Sequence, residues 1–489
     1  MKVLSVTSEM FPLVKTGGLA DVAGALPQTL AAEGITVRTL LPGYPAVVRA
    51  LETCASVHED SALFGGSARL LAGQAKGHDL LVLDAPHLYD RPGNPYLGPD
   101  GTDWPDNGNR FAALGAMAAR VGAGLLTDWV PDLVHAHDWQ AGLAPAYLRH
   151  GPATRVKSVV TIHNIAFQGL FAAEHFANLG LPQSAFAMDG VEYYGNVSYL
   201  KAGLQYADAI TTVSPTYAQE ILSPQFGMGM EGLLSQRRDV LHGILNGIDT
   251  QTWDPATDPA LAARYDAETL DARDHNKRAV EARFGLQRGD GPLYCVITRM
   301  TWQKGMDLLA AIIDRVVGRG GRLVVLGSGE AQLESAFRDA AGRHPGRVGT
   351  VIGYDDALSH QMLGGADAIL VPSRFEPCGL TQLQGLRYGC VPVVARVGGL
   401  ADTVIDANEA ALAVGAGNGV QFAPVDAGNL ELTIERVNRL HADRVVWRTL
   451  QRAGMAADVS WRRSAVRYAE LFRALVAGTP HAAQPTDVT

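Results

Sequence analysis

The stretch that decides the fold is ADAILVPSRFEPCGLT, residues Ala366 to Thr381. Its apolar run, residues 368–371, predicts a short strand buried in a parallel sheet, and Pro372 ends that strand. A polar loop over residues 373–378, SRFEPC, follows and is called the elbow below. Gly379-Leu380-Thr381 then opens a helix. In open α/β sheets, ligands bind outside the carboxyl ends of the strands, where a helix start offers free N–H groups to an anion. The stretch therefore predicts a strand–loop–helix unit with a phosphate site.

One acidic side chain, Glu376, stands in that elbow. A carboxylate repels phosphate, so Glu376 is better placed to hold a neutral group attached to the phosphate. The stretch therefore suggests a site for a phosphorylated donor that carries a hydroxyl-rich group.

Strand-like and helix-like segments alternate on both sides of this stretch. The first half begins with a βαβ pattern: a strand over 2–8, a helix over about 19–33 and a strand over 36–41. A second set of βα units begins near Pro292. With 489 residues the chain is too long for one core. We therefore expect an α/β protein with two doubly wound lobes, joined near 246–256, where turn residues gather.

Composition narrows the class of protein. The net charge of −9 argues against nucleic acid as a partner, because phosphate-backbone binders carry basic surfaces. The four cysteines lack C-x-x-C spacing, which favours a reducing compartment over a disulfide framework or structural zinc. No apolar run approaches a membrane span, and the chain starts with a strand instead of a signal peptide, so we expect no membrane partner and a cytoplasmic location.

Two glycine-containing loops could bind the donor. Residues 15–21, KTGGLAD, lie between the first strand and the first helix, and they fit either a ligand loop carrying Lys15 or a plain turn with a solvated lysine. Residues 299–305, RMTWQKG, place Arg299 and Lys304 around a helix start, where the dipole disfavours cations. An anion should compensate there, so together with Gly379–Thr381 this loop looks like a diphosphate clamp.

Histidines follow two strands of the first half. His163 ends one strand and is equally compatible with a site residue or a hydrogen-bonded core residue. His135 and His137 lie on another strand and face the same way. Such a pair can bind metal, but no further ligand spacing supports it, so no metal is expected. Asp138-Trp139 is interpreted as a helix cap followed by a binding aromatic.

Two other patterns argue against alternative chemistry. Gly327-Ser328-Gly329 follows a strand, but Gln332 stands where a dinucleotide fingerprint needs its third glycine. No D-x-D triplet occurs in the chain, so Lys and Arg side chains are expected to neutralise the leaving group, with no metal or other cofactor.

Four motifs in order, K-T-G-G-L-A-D, H-A-H-D-W, R-x4-K-G and S-R-F-E-P-C-G-L-T, resemble those of bacterial glycogen synthases and the similar plant starch synthases, over residues 1 to about 476. The resemblance implies a GT-B fold, with two Rossmann-like doubly wound lobes, a deep interdomain cleft and a C-terminal crossover helix. The bounds it implies are an acceptor-side lobe over 1–245, a linker over 246–256, a nucleotide-sugar lobe over 257–456, a returning helix over 457–477 and a disordered tail over 478–489.

The resemblance also implies an activity: glucose transfer from ADP-glucose to the non-reducing end of an α-1,4-glucan, with retention of configuration. As catalytic residues it implies Glu376, His163, Arg299 and Lys304. As substrate-binding residues it implies Lys15, Gly18, Asp21, Asn246, Tyr354 (stacked on adenine), Cys378, Gly379, Leu380 and Thr381. On the acceptor side it suggests Glu9, Tyr96, Asp138 and Trp139.

The chain departs from wider GT-B relatives at one position. Those relatives carry E-x7-E, whereas Gln384 stands eight residues after Glu376. A double displacement through a second carboxylate is therefore less attractive than a front-face route. Two alternatives stay open: a GT-B glycosyltransferase with another nucleotide sugar, and a non-catalytic glucan- or nucleotide-binding protein.

Overall fold

The computed structural model describes residues 1–152 and 155–479. Contacts divide the chain into two compact units, one formed by Met1–Asn246 with the chain from Trp461 onward, and one formed by Gly247–Ser460. The segment 246–256, expected to be a linker, is not separate: Asn246 falls in the first unit and Gly247 in the second. Of the expected disordered tail over 478–489, residues 480–489 lie outside the described residues.

The first unit is built on a nine-stranded sheet and a three-stranded sheet. Its strands are β1 (Lys2–Val6), β2 (Thr36–Pro42), β3 (Thr53–Leu63), β4 (Gly66–Ala75), β5 (His78–Asp84), β6 (Leu133–His137), β7 (Lys157–Ile162), β8 (Leu170–Ala172), β9 (Glu192–Tyr193), β10 (Asn196–Ser198), β11 (Ala209–Thr212) and β12 (Leu241–Gly243). The large sheet has the order β12-β11-β7-β6-β1-β2-β5-β4-β3, and its pairings are parallel except for those of β4 with β3 and β5.

Helices cover this sheet. In the first 246 residues they are α1 (Gly18–Ala31), α2 (Pro45–Ala50), α3 (Pro86–Tyr89), α4 (Asn107–Gly122), α5 (Asp138–Ala141), α6 (Leu143–His150), α7 (Tyr199–Tyr206), α8 (Pro215–Glu220) and α9 (Glu231–Gln236), with 3₁₀ turns at Ala173–Asn178, Gln183–Ala185 and Arg238–Val240. Strands β1, β6 and β7 are buried nearly throughout, as expected for parallel strands covered on both faces.

The second unit is a six-stranded parallel sheet of order β15-β14-β13-β16-β17-β18. Its strands are β13 (Leu293–Ile297), β14 (Arg322–Gly327), β15 (Val348–Ile352), β16 (Ala368–Val371), β17 (Val391–Ala395) and β18 (Val420–Phe422). Its helices are α10 (Arg273–Arg283), α11 (Met306–Ala310), α12 (Ile313–Gly318), α13 (Ala331–Arg343), α14 (Asp356–Gly365), α15 (Thr381–Arg387), α16 (Gly398–Thr403), α17 (Glu409–Ala413), α18 (Ala427–Ala442) and α19 (Arg444–Ala456), with a 3₁₀ turn at Leu270–Ala272. The strand order is that of the doubly wound nucleotide-binding fold.

The last helix, α20 (Arg462–Ala477), packs in the first unit. Tyr468 and Phe472 are fully buried in a cluster with residues of β1, α1 and β6. The sequence pattern also assigns Val476 to the buried face, but Val476 is 42% exposed because it lies in the last turn, beyond that cluster.

Each of the two large sheets has a switch point between two adjacent central strands. From these two strands, the following strands are added toward opposite edges of the sheet. In the first unit the switch lies between β1 and β6, and in the second between β13 and β16. Ligands of doubly wound folds bind at such switch points, outside the carboxyl ends of the strands. The loops that the sequence singles out follow these strands.

Candidate active site

In the second unit, an ion pair joins the two loops at the switch point. Nζ of Lys304, in the loop after β13, lies 2.6 Å from Oε2 of Glu376, in the loop after β16. The hydroxyl of Ser373 donates to the same carboxylate oxygen at 2.9 Å. Glu376 is only 6% exposed, so its charge needs such partners. Glu376 is therefore the anion that compensates Lys304 near the start of α11.

Arg374 fastens the same two loops together. Its backbone N–H donates to the carbonyl of Gln303 at 2.9 Å, and its guanidinium donates to the carbonyl of Trp302 at 2.6 Å. Both terminal nitrogens also bind Asp307 at 2.6 Å, and these hydrogen bonds are the main reason why the pKa of Asp307 lies below its usual value. Arg374 is not among the predicted site residues, although its place two residues before Glu376 was a signal in the sequence.

The elbow ends in a tight turn before α15. Gly379 has a φ of +73°, and a Cβ there would lie 2.4 Å from Oε1 of Gln382, so glycine is required. The side-chain amide of Gln382 donates to the carbonyls of Cys378 and Gly379 at 3.0 Å each. Leu380 and Thr381 follow as the first residues at the helix start, and Cys378 is buried.

Arg299 and Tyr354 are exposed residues in the loops that follow β13 and β15. Arg299 is exposed, and it forms no ion pair with a carboxylate of residues 1–152 or 155–479. Tyr354 follows β15 and is 75% exposed, with its hydroxyl donating to Asp356 at 2.8 Å.

In the first unit, the carboxylate of Glu9 organises the loop after β1. It accepts hydrogen bonds from the backbone N–H of Thr16 at 2.5 Å, from the hydroxyl of Thr16 at 2.7 Å and from the N–H of Gly17 at 3.3 Å. Tyr96 donates to it at 2.6 Å and also contacts the hydroxyl of Ser8 at 2.8 Å. Burial, followed by the charge of Glu9, raises the pKa of Tyr96 well above its usual value. Both residues thus hold the loop in place.

The loop that Glu9 holds carries Lys15 and leads into α1 at Gly18. Nζ of Lys15 binds Oδ1 of Asp21 at 2.8 Å, and it lies 5.3 Å above the ring of Phe11. Lys15 and Gly18 are exposed. The loop therefore offers a cation and an open backbone, with Asp21 as the counter-charge.

Asp138 differs from the helix cap that the sequence predicts. It has a φ of +55°, His137 is the residue that precedes α5, and no side chain caps that helix. The carboxylate of Asp138 instead accepts from the backbone N–H groups of His163 at 2.7 Å and Asn164 at 3.4 Å. Burial raises its pKa to about 7. The left-handed backbone turns the side chain away from the helix start and toward the end of β7.

Trp139 packs inside the first unit. Its ring centroid lies 6.5 Å from that of Tyr96 and 4.9 Å from that of Phe111, and a Cβ on Gly169 would lie 2.4 Å from its ring. The side chain is partly buried. It is thus an aromatic wall with limited exposed surface.

His163 lies next to His137, with Nε2 of His163 3.0 Å from Nδ1 of His137. Burial lowers the pKa of His163 well below its usual value, and neighbouring His137 lowers it further.

Asn246, three residues beyond β12, is buried and its Oδ1 has no partner among the described residues. A buried polar atom without a partner is unusual in a folded protein, so this oxygen is available to a ligand or a water molecule.

Within residues 1–152 and 155–479, no group of three or more His, Cys, Asp or Glu side chains is arranged to hold a metal ion. No helix in that part of the chain is both long and apolar enough to cross a membrane.

Two Rossmann-like units with charged loops at their switch points define a glycosyltransferase of the GT-B fold. A family model described as the starch synthase catalytic domain matches residues 2–236, and one described as glycosyl transferases group 1 matches residues 291–427. The chain belongs to the glycogen synthase family: the glycogen synthase of Mesorhizobium japonicum is 60% identical over 97% of this chain and 99% of its own length. The glycogen synthase of Rhodopseudomonas palustris (strain HaA2) is 59% identical over 97% and 98%.

Solved structures agree. The catalytic domain of Starch Synthase IV from Arabidopsis thaliana, bound to ADP and acarbose, has a TM-score of 0.88 at 30% identity and covers 97% of this chain and 99% of its own. Sucrose-phosphate synthase from Thermosynechococcus elongatus, at a TM-score of 0.58 and 19% identity, shares the fold. The predicted family and the predicted GT-B fold class are confirmed, and the chain is a glycosyltransferase.

Proposed function

We propose that this protein transfers glucose from ADP-glucose to the non-reducing end of an α-1,4-glucan with retention of configuration, as an enzyme of glycogen synthesis. The observation that carries the proposal is the pairing of Lys304 with Glu376 at the switch point of the second unit. It puts a cation for a diphosphate and a carboxylate for a sugar side by side. Relatives named glycogen synthase at about 60% identity, and a starch synthase structure that holds ADP, support the choice of substrates.

In this proposal, the second unit binds the donor. Breaking the bond between C1 and the phosphate oxygen builds positive charge on the sugar and negative charge on the diphosphate. Cations beside the leaving group stabilise that separation, and the proposal assigns this role to Lys304, which Glu376 holds, and to the exposed Arg299. The backbone at Leu380 and Thr381 assists them, and the exposed ring of Tyr354 stacks on adenine.

Glu376 is proposed to hold the glucosyl hydroxyls. Its Oε2 accepts from Lys304 and Ser373, while its Oε1 forms no hydrogen bond within residues 1–152 and 155–479. A free carboxylate oxygen beside a fixed one suits a pair of hydroxyl donors. The backbone of Cys378 and Gly379, held by Gln382, is proposed to assist it.

For the first unit we propose sugar-binding and acceptor-binding roles. His163 contacts the sugar near the anomeric carbon, and Asn246 supplies its unpaired oxygen to substrate. Lys15, Gly18 and Asp21 act on the donor from the loop that Glu9 and Tyr96 hold. Asp138 and Trp139 face the acceptor side.

The step itself is proposed to follow a front-face route. The C1–phosphate oxygen bond breaks, the acceptor 4-hydroxyl oxygen bonds to C1 on the same face, and its proton passes to the departing phosphate oxygen. No second acidic residue is needed, in keeping with Gln384 at the position of the second glutamate. Water must be kept out, because it would hydrolyse the reactive sugar. We further propose that the enzyme works in the cytoplasm on these two substrates.

The deciding experiment measures incorporation of labelled glucose from ADP-glucose into glycogen with EDTA present, beside the same assay with UDP-glucose. Transfer from ADP-glucose, unaffected by EDTA, is expected. Glu376→Gln is the matched control, which should bind ADP normally and transfer poorly. Preference for UDP-glucose would point to another nucleotide sugar, and ADP binding without transfer by the unmodified protein would point to a binding protein.

A further inference from the structure

Strand β6 carries two histidines that the proposed function does not use. His135 and His137 are each 1% exposed, and their ring centroids lie 4.1 Å apart. His137 pairs with Thr161 across β6 and β7, so His163, two residues further, lies on the same face. A buried imidazole needs a partner for its N–H group. The two histidines have different hydrogen-bond partners.

His137 stands in a chain of hydrogen bonds that ends at His163. Oγ of Ser5, on β1, lies 3.3 Å from Nε2 of His137, and Nδ1 of His137 lies 3.0 Å from Nε2 of His163. His135 belongs to a separate chain, through its Nε2 to Thr161 at 2.6 Å. Within residues 1–152 and 155–479, His137 is thus the histidine of this strand that hydrogen-bonds to the ring of His163.

Both rings of the Ser5 chain are uncharged at neutral pH. Burial lowers the pKa of His137 to about 3, and burial with the neighbouring His137 holds the pKa of His163 well below its usual value. A neutral imidazole has one N–H donor and one bare nitrogen acceptor. The 3.0 Å contact between the rings therefore contains one hydrogen, which belongs to one ring or the other.

Ser5 decides which ring donates. Its Oγ is buried and forms no other hydrogen bond, either to a side chain or to the backbone, within residues 1–152 and 155–479. If Ser5 accepted from His137, its own hydroxyl hydrogen would be buried without an acceptor, which is unfavourable. The hydroxyl therefore donates to Nε2 of His137, and His137 carries its hydrogen on Nδ1 and donates it to Nε2 of His163.

We propose that Ser5 and His137 fix His163 as the tautomer with its hydrogen on Nδ1, so that His163 presents an N–H donor to the sugar or the leaving phosphate. Nδ1 of His163 forms no hydrogen bond within the described residues, and the side chain is only partly buried. His137 is a positioning residue. The assignment of His163 to substrate rests on the proposed function, whereas the tautomer itself does not.

The first test reads the tautomer directly. The full chain is labelled with ¹⁵N-histidine, the ring nitrogens are observed in long-range ¹H–¹⁵N spectra, and His163→Gln identifies the resonances of His163. We expect hydrogen on Nδ1 of His163 in the unmodified protein, and an altered tautomer distribution in His137→Phe. Hydrogen on Nε2 of His163, or an unchanged spectrum in His137→Phe, would overturn the proposal. This readout needs no enzymatic activity.

The second test reads turnover. His137→Phe should lower kcat roughly tenfold while the KM for ADP-glucose changes less than about twofold, because a misplaced donor affects the reacting state most. His137→Asn, whose amide nitrogen can stand where Nδ1 stands, should recover most of that loss. His135→Phe is the matched control of equal burial and should keep normal kcat. Equal losses in all three variants would contradict a positioning role, and absence of transfer by the unmodified protein would instead contradict the proposed function.

Discussion

The pairing of Lys304 with Glu376 explains how a lysine is tolerated beside a helix start. Alone, a cation there would oppose the helix dipole, and a buried glutamate would be costly to leave charged. The carboxylate of Glu376 offsets the unfavourable effect of the dipole on Lys304, and the ammonium group of Lys304 compensates the buried charge of Glu376. Ser373 adds a hydrogen bond to Oε2 of Glu376, the oxygen that Lys304 binds. The pair thus needs no bound substrate to keep its geometry.

Lys304→Ala and Arg299→Ala should therefore separate activity from stability. Both should lower turnover by roughly 100-fold or more, the scale of losing one transition-state donor. Only Lys304→Ala should also lower the free energy of unfolding, by about 3 kcal/mol, because it leaves the buried carboxylate of Glu376 without its counter-ion. Turnover with ADP-glucose and urea denaturation measure the two effects.

Arg343→Ala, at an exposed ion pair with Asp314, is the control for both measurements and should change neither. Near-normal turnover in both site variants would reject the clamp. An equal loss of stability in Arg299→Ala would reject the distinction between the two cations.

Asp138 predicts a dependence of stability on pH. Its folded-state pKa of about 7 lies above the usual 3.8, so the folded protein keeps its proton at pH values where the unfolded chain has lost it. The stabilisation is complete below about pH 4 and is lost as pH rises toward 7. Relative to Asp138→Asn, the unmodified protein should lose up to about 1.4 kcal/mol per pH unit over that range.

Urea denaturation of both proteins between pH 5 and pH 8 measures this difference, and titration of other groups cancels in the comparison. Asp128→Asn, at an exposed aspartate on the surface of the same unit, is the control for the substitution itself. A difference between Asp138→Asn and the unmodified protein that stayed constant with pH would show that Asp138 is ionised throughout.

Sequence patterns predicted that Lys304 and Glu376 lie near each other, but not their contact. Lys304 and Glu376 could be assigned to one site because they follow the strands on either side of a switch point. Their direct bond could not be predicted, because it depends on how two loops fold back. Asp138 could not be predicted either, since its positive φ contradicts the preference of a non-glycine residue.

At the level of loops and helices, the carboxylate of Glu9 is the organising group of the first unit's switch point. It accepts from two backbone N–H groups and two hydroxyls, so the segment from Thr16 to Gly17 has a fixed conformation before any ligand binds. Tyr96 brings the long loop between α3 and α4 to the same carboxylate. The two loops are therefore coupled through one side chain.

Glu9→Ala should release this loop. The N–H groups of Thr16 and Gly17 lose their acceptor, so their hydrogen exchange should become roughly tenfold faster or more, and the free energy of unfolding should fall by about 1–3 kcal/mol. Hydrogen-exchange mass spectrometry and denaturation measure these effects.

Glu33→Ala, on the surface after α1, is the control and should leave exchange at residues 16–17 unchanged. Unchanged exchange in Glu9→Ala as well would mean that other contacts hold the loop.

The sequence also predicted regular elements unevenly. Buried parallel strands such as β13 and β16 can be predicted because each is a short apolar run in the sequence. Strand β3, Thr53–Leu63, was missed because most of its side chains are exposed at the edge of the sheet, so no apolar run marks it. The hydrogen bond from Tyr96 to Glu9 could not be predicted either, because it depends on tertiary folding.

For the whole molecule, the last helix completes the first unit. Tyr468 and Phe472 of α20 are fully buried, and their rings lie 5.5 Å and 5.4 Å from that of His135. The resemblance implied a returning helix, and its periodicity predicted a buried face. Its partner surface could not be deduced from the helix alone, because any apolar face would satisfy the same pattern.

Phe472→Ala should therefore destabilise the first unit by about 3–5 kcal/mol, since the cavity lies in a closed core. Val476→Ala, one turn further and 42% exposed, is the matched control and should cost less than about 1 kcal/mol. Chemical denaturation followed by tryptophan fluorescence measures both. Similar small effects in the two variants would mean that α20 is dispensable for the core.

This arrangement constrains synthesis on the ribosome. Strand β1 is translated first. Residues 461–477, which pack against β1 and its neighbours, are translated only after the 214 residues of the second unit, Gly247–Ser460. Until then residues 1–246 lack α20, so apolar side chains that α20 later covers, such as Val3 and Leu133, remain exposed. A chain terminated just before residue 461 would accordingly contain all of the second unit but an incomplete first unit, although the first unit was begun earlier.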